Sequence, residues 1–211
     1  MAERFLDKTV AQFLDELASK APVPGGGSVS ALCGALAAGL ITMVCDLTIG
    51  KKAYADVEAE IRSIREQAEA LRREFQELLE ADVAAYGRLS AAYKLPRETD
   101  EQQADRYAAI QQATIEATEV PLRIAEAAAR VVELAGPVAE KGSRLAVSDA
   151  GIAVLLGEAA VHSALLNVRI NLPTLEDEAF AAEVRRRVSQ ATKGLSERRG
   201  AILQVVEERM G

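Results

Sequence analysis

The chain has 211 residues, 49% of them hydrophobic, yet it carries only four Phe, four Tyr and no Trp. The apolar mass is Ala, Leu, Val and Ile, which suits a helix-rich core better than a β-sandwich, and this length predicts one domain over 1–211. A net charge of −7, from 25 basic and 32 acidic residues, together with few and scattered aromatics, argues against a nucleic-acid partner.

Thr9 and Gln12 have the spacing of a capping box and open a first helix to about residue 19. From Ala21 to Cys45 there is no charged residue, long enough to raise the question of a membrane span. Its first seven residues, Ala21-Pro-Val-Pro-Gly-Gly-Gly27, do not extend a helix. In the remainder, eleven of eighteen residues are Gly, Ala, Ser, Thr or Cys. That composition predicts a helix from 28 to about 50 packed closely among other helices, and no membrane partner. Cys33 and Cys45 lie about 18 Å apart along it, too far for a mutual disulfide. Two unbridged thiols, and an N-terminus without the layout of a secretory signal, point to a cytoplasmic protein.

A long helix of about 40 residues follows, from 56 to about 95, closed by Pro96. Thr99 and Gln102 form a second capping box, opening a helix to about 120, where Pro121 kinks or restarts it and a second piece reaches about 135. Ser148-Asp149 caps a helix to about 171, and one amphipathic helix runs from Pro173-Thr174 to about 210. The expectation is all-α: an antiparallel helix bundle with a small-residue-rich central helix.

One residue breaks the pattern of the long helix. Val57, Ile61, Ile64, Ala68, Leu71, Phe75, Leu78, Tyr86, Leu89 and Tyr93 step by three and four, with one gap, and the gap holds Asp82. At about 100° per residue, Asp82 falls in the middle of this apolar arc. A carboxylate there must be paired, hydrogen-bonded or protonated. Two readings stand side by side: an acid tuned by burial for proton transfer, or a structural Asp satisfied by a helix end or an Arg. Gly25, Gly26, Gly27 and Ser28 lead into the central helix, where the backbone can approach a ligand and helix N–H groups are free, although a plain turn explains the glycines too. Lys51 and Lys52 close that helix, as dipole partners or as a site for an anionic tail. Asn167 and Asn171 share a helix face and either orient a ligand or tie helices together. His162, the single histidine, has no Cys, His or carboxylate set at ligand spacing, so neither a zinc site nor a His-based triad is expected.

Pro22-Val-Pro-Gly-Gly-Gly-Ser28, Leu47-Thr-Ile-Gly-Lys-Lys52, Asp82 with Ala85-Tyr86, Lys94-Leu-Pro96, Val120-Pro-Leu122, Ser148-Asp149 and Asn167-Val-Arg-Ile-Asn171 occur in this order. Together they resemble the cyclodeaminase domain of formiminotransferase-cyclodeaminase and its stand-alone bacterial relative, methenyltetrahydrofolate cyclohydrolase. The resemblance runs from about Thr9 to about Met210. It implies an all-helical homodimer that takes a tetrahydrofolate derivative, with or without a polyglutamate tail, as substrate near the subunit interface, with no metal and no permanently bound cofactor. It also implies that Asp82 is the catalytic acid. Lys51, Lys52 and Lys94 become candidates for the glutamate carboxylates, and the glycine turn, Ser148, Asp149 and Asn167 for the pterin or its amide. The implied activity is formimidoyltetrahydrofolate cyclodeaminase, which closes the 5,10-methenyl bridge with loss of ammonia. The alternatives are cyclohydrolase, which opens that bridge to 10-formyltetrahydrofolate, and a non-catalytic folate-binding dimer. Gly142-Ser143 stands where the family often has Gly-Asn, which weakens any claim for a side-chain amide there.

Overall fold

The computed structural model describes residues 4–211, and all regular structure among them is helical. Seven α-helices follow in order: α1 (Val10–Leu17), α2 (Gly26–Asp46), α3 (Glu58–Tyr93), α4 (Asp100–Lys141), α5 (Val147–Asn171), α6 (Glu178–Thr192) and α7 (Leu195–Met210). The two capping boxes form as expected. Thr9 and Gln12 close the start of α1, and Thr99 and Gln102 the start of α4, each pair exchanging side-chain and backbone bonds.

Four helices make the core, with α2, α3, α4 and α5 each packed against its neighbours in a ring. Cross-helix pairs show that every neighbour is antiparallel. Asp46 meets Arg65 while Ser28 meets Asp82; Lys141 meets Glu60 while Glu116 meets Arg88; Cys33 meets the Leu156 carbonyl while Gly26 meets Asn167. The small residues of α2 explain its closeness to α3. A Cβ at Gly34 would overlap the ring of fully buried Phe75, lying 2.8 Å from Cδ1. By length and composition α2 and residues 144–174 both suffice to cross a membrane, and here both pack into the bundle, as expected of α2. Cys33 and Cys45 are free thiols, and burial pushes Cys45 up to about 12.

Four boundaries differ from expectation. Helix α2 begins at Gly26, because its first-turn glycines leave room for side chains from α3 and α5. Helix α5 begins at Val147 with Ala146 as N-cap, so Ser148 and Asp149 lie inside its first turn and cap nothing. The single terminal helix is two, α6 and α7, divided at Gly194, whose φ of 66° is left-handed.

The fourth difference is α4, which runs unbroken for 42 residues through Pro121 and Pro137. Proline at 121 removes the donor that would satisfy the carbonyl of Ala117. The Asn171 amide from α5 donates to that carbonyl instead, at 2.9 Å.

Candidate active site

Asp82 sits where α3 passes the first turn of α2. The Ser28 hydroxyl donates to Asp82 Oδ2 at 2.8 Å, and the Ser28 backbone N–H also bonds the carboxylate. A Cβ at Gly27 would overlap the carboxyl group, standing 2.8 Å from even its more distant oxygen. This is the close approach that the glycine run allows. The free N–H groups expected to receive a ligand are therefore spent partly on Asp82 itself, which caps α2 from a neighbouring helix. Asp82 is satisfied by a helix end, as the structural reading expects, and it also lines a cavity.

That cavity, about 240 Å³, is lined by Asp82, Ala85, Tyr86, Leu89, Ala117, Asn167, Ile170 and Asn171. Asp82 is half-buried in its wall. Burial holds its carboxyl above the usual carboxylate range, and the two Ser28 bonds offset this only in part. Asn167 packs beside Gly26, where an added Cβ would lie 3.6 Å from its Nδ2. Its Nδ2 donates to the Ser163 carbonyl at 3.3 Å. The site thus joins an acid, amide groups and an apolar floor. Among the described residues, no three of His, Cys, Asp and Glu converge as a metal site would need.

Above Asp82 the apolar stripe of α3 changes character. Phe75 and Leu78 are fully buried, whereas Tyr86 is 44% and Tyr93 53% exposed. The cause is geometric: α2 starts at the level of Asp82, so the last three turns of α3 project past it beside the first turns of α4. Tyr86 and Leu89 belong to the cavity wall for that reason. Sequence reasoning placed them on the right face but not in a site, since periodicity says nothing of where a covering helix begins.

The structure groups Gly25, Gly26, Gly27, Ser28, Asp82 and Asn167. It does not group the other candidates. Lys94 is an exposed C-cap about 18 Å further along α3. Lys51 and Lys52 follow the far end of α2, and Ser148 and Asp149 begin α5 at that same end, about 30 Å from Asp82 within one chain. His162 is exposed on α5 and lies outside the cavity.

The family model described as "Formiminotransferase-cyclodeaminase" matches residues 9–190. The chain belongs to the formiminotransferase-cyclodeaminase family, whose named members are enzymes of folate one-carbon metabolism. It is 48% identical over 177 residues to the methenyltetrahydrofolate cyclohydrolase of Methylorubrum extorquens, covering 84% of this chain and 85% of that one. It is 32% identical over 207 residues to the formimidoyltransferase-cyclodeaminase of Sus scrofa, spanning 98% of this chain but 38% of that protein. The solved structure of formiminotetrahydrofolate cyclodeaminase from Thermotoga maritima superposes with a TM-score of 0.85 at 28% identity, covering 95% of this chain and 96% of that one.

Proposed function

We propose that this chain is a methenyltetrahydrofolate cyclohydrolase with Asp82 as its catalytic residue. The observation that carries the chemistry is the Asp82 carboxylate, held by Ser28 in the wall of a cavity of about 240 Å³. The 48% identity to the Methylorubrum cyclohydrolase reverses the order expected from sequence, where cyclodeaminase came first.

The substrate is a cation, with its positive charge spread over N5, the methenyl carbon and N10. An ionised Asp82 beside it stabilises that charge and takes a proton from water as the hydroxyl adds to the carbon. The tetrahedral adduct then opens by breaking the carbon–N5 bond. N5 receives the proton, and 10-formyltetrahydrofolate leaves with one proton released overall. A raised carboxyl pKa suits a group that both takes and returns a proton.

Cyclodeaminase is the second reading, favoured by the similarity to the Thermotoga structure. The same carboxylate would stabilise the formimidoyl amidinium while N10 attacks and ammonia departs. Adding purified protein to each substrate separates the two. Loss of the methenyl absorbance at about 350 nm marks a hydrolase, and its appearance from 5-formimidoyltetrahydrofolate marks a deaminase. Neither change, despite folate binding, would sink both and leave a binding module.

The working form we propose is a homodimer. Val29, Leu36 and Met43 on α2, with Ile152, Leu155, Leu166 and Ile170 on α5, are exposed on neighbouring helices. Uncharged apolar faces of this kind mark interfaces. A two-fold axis across the helices would bring the end carrying Lys51, Lys52, Ser148 and Asp149 over the partner's Asp82 cavity. Those residues could then hold a glutamate tail that they cannot reach within one chain.

A further inference from the structure

We propose that Asn171 is a substrate-positioning residue whose side-chain carbonyl oxygen, oriented by the gap that Pro121 leaves in α4, accepts a hydrogen bond from the N–H edge of the bound pterin. The proposal rests on the reading above that a folate occupies the cavity.

The orientation follows from what proline lacks. Residue 121 would normally donate its N–H to the Ala117 carbonyl, and Pro121 has none to give. Ala117 is half-buried beside buried Pro121, and a carbonyl left unpaired there is costly. Asn171 Nδ2 fills the gap at 2.9 Å. A carbonyl accepts only from a donor, so the amide nitrogen must face Ala117 and the amide oxygen must face elsewhere. Ala117 and Asn171 both line the cavity, as do Asp82 and Asn167.

Asn167 is committed in the same sense, its nitrogen on the Ser163 carbonyl. Among the described residues, neither amide oxygen receives a hydrogen bond. Beside the Asp82 carboxylate assigned to the one-carbon unit, the residues lining the cavity therefore carry two amide oxygens as open acceptors, next to the Tyr86 hydroxyl and the second N–H of each amide. The complement of those two oxygens is an edge that presents donors. The tetrahydropterin ring has such an edge in its 2-amino group, N3–H and N8–H. A ring lacking those donors is disfavoured, because the two amide oxygens would then stay unpaired.

Three variants test this: Asn171→Ala, Pro121→Ala and the double variant. The readouts are KM and kcat for methenyltetrahydrofolate, Kd for 5-formyltetrahydrofolate by calorimetry, and Tm. Asn171→Ala is expected to raise Kd and KM about three- to tenfold, the worth of one neutral hydrogen bond, with little change in kcat. Pro121→Ala gives Ala117 its helical donor and frees the Asn171 amide, so Kd should rise although residue 121 lies outside the cavity. The double variant should bind no worse than Asn171→Ala alone. Because it restores the α4 hydrogen bond, it stays folded even if Asn171→Ala does not, and its Kd then decides.

An unchanged Kd in Asn171→Ala or in the double variant, with only Tm altered, would mean that Asn171 merely mends the helix. Wild-type protein that binds 5-formyltetrahydrofolate without turning over methenyltetrahydrofolate would defeat the proposed activity, and the Kd series would still judge Asn171. Wild-type protein that binds no folate overturns both.

Discussion

The two ends of the four-helix core differ in kind. At one end α2 begins, and its first turn, α3 and α5 gather Gly27, Ser28, Asp82 and Asn167 around a cavity. At the other end α2 stops, and Lys51, Lys52, Ser148 and Asp149 stand on loops and first turns. One end holds the group able to move a proton, and the other holds basic and polar groups without a cavity of their own among these residues. The difference teaches that residues adjacent in a motif need not be adjacent in space. Antiparallel packing sends the end of α2 and the start of α5 together to the far side, so a ligand touching both ends needs two copies of the chain.

The strongest way to break this contrast is Asp82→Asn. It keeps an acceptor for Ser28 and removes the proton carrier, so kcat should fall about 10²- to 10⁴-fold while the thermal transition stays cooperative. Normal turnover would make Asp82 only a cap. Gly27→Ala comes next. Its methyl group displaces the carboxylate, and a shift of that order costs turnover by about tenfold or more, read in the same absorbance assay. The matched control is Gly87→Ala, five residues beyond Asp82 on open surface, where a Cβ meets nothing within 4 Å. It should stabilise by about 0.5–1 kcal/mol in denaturant titration without altering rate.

The proposed two-copy arrangement makes a sharper forecast. Mixing equal amounts of unfolded Asp82→Asn and a Lys51→Ala/Lys52→Ala variant and refolding them together should restore about a quarter of wild-type activity toward a polyglutamylated substrate held well below KM, because half the dimers carry one intact site. No recovery would confine each site to one chain. The smallest effect concerns pH. With the folded pKa of Asp82 raised by burial, the folded chain holds a proton that the unfolded chain has lost in the window between the two values. Stability contributed by this group therefore falls as pH rises through that window, and the cost is complete above the folded pKa. Asp82→Asn should accordingly be at least as stable as wild type near neutrality, with the advantage vanishing in acid. Turnover, which needs the ionised form, should decline on acidification with a midpoint above that of an ordinary carboxylate.

Much of the fold was legible because local chemistry decided it. The capping boxes at Thr9 and Thr99, the small residues of α2 and the stripe of α3 each reflect interactions within a few residues or one helix face. Pro121 misled because the repair comes from Asn171, fifty residues away in sequence, and no local rule contains it. Gly194 was missed because a left-handed residue between two amphipathic helices leaves their periodicity nearly intact. Asp82 was visible as an interruption, and the resemblance gave it a role. The cavity beside it was not visible, since Tyr86, Ala117 and Ile170 come from three helices whose relative levels only packing determines. That Lys51 and Ser148 lie at the opposite end of the core from Asp82 within one chain was hidden for the same reason.

The projection of α3 and α4 beyond α2 sets Asp82 at the edge of a step, below a mast of two helices that the end of α5 flanks. Changes in the length of that mast, through whole helical turns added or removed on both sides, would alter what overhangs the step without touching the core beneath. The reach of the enclosure over a bound molecule is thus adjustable separately from the foundation that fixes its acid.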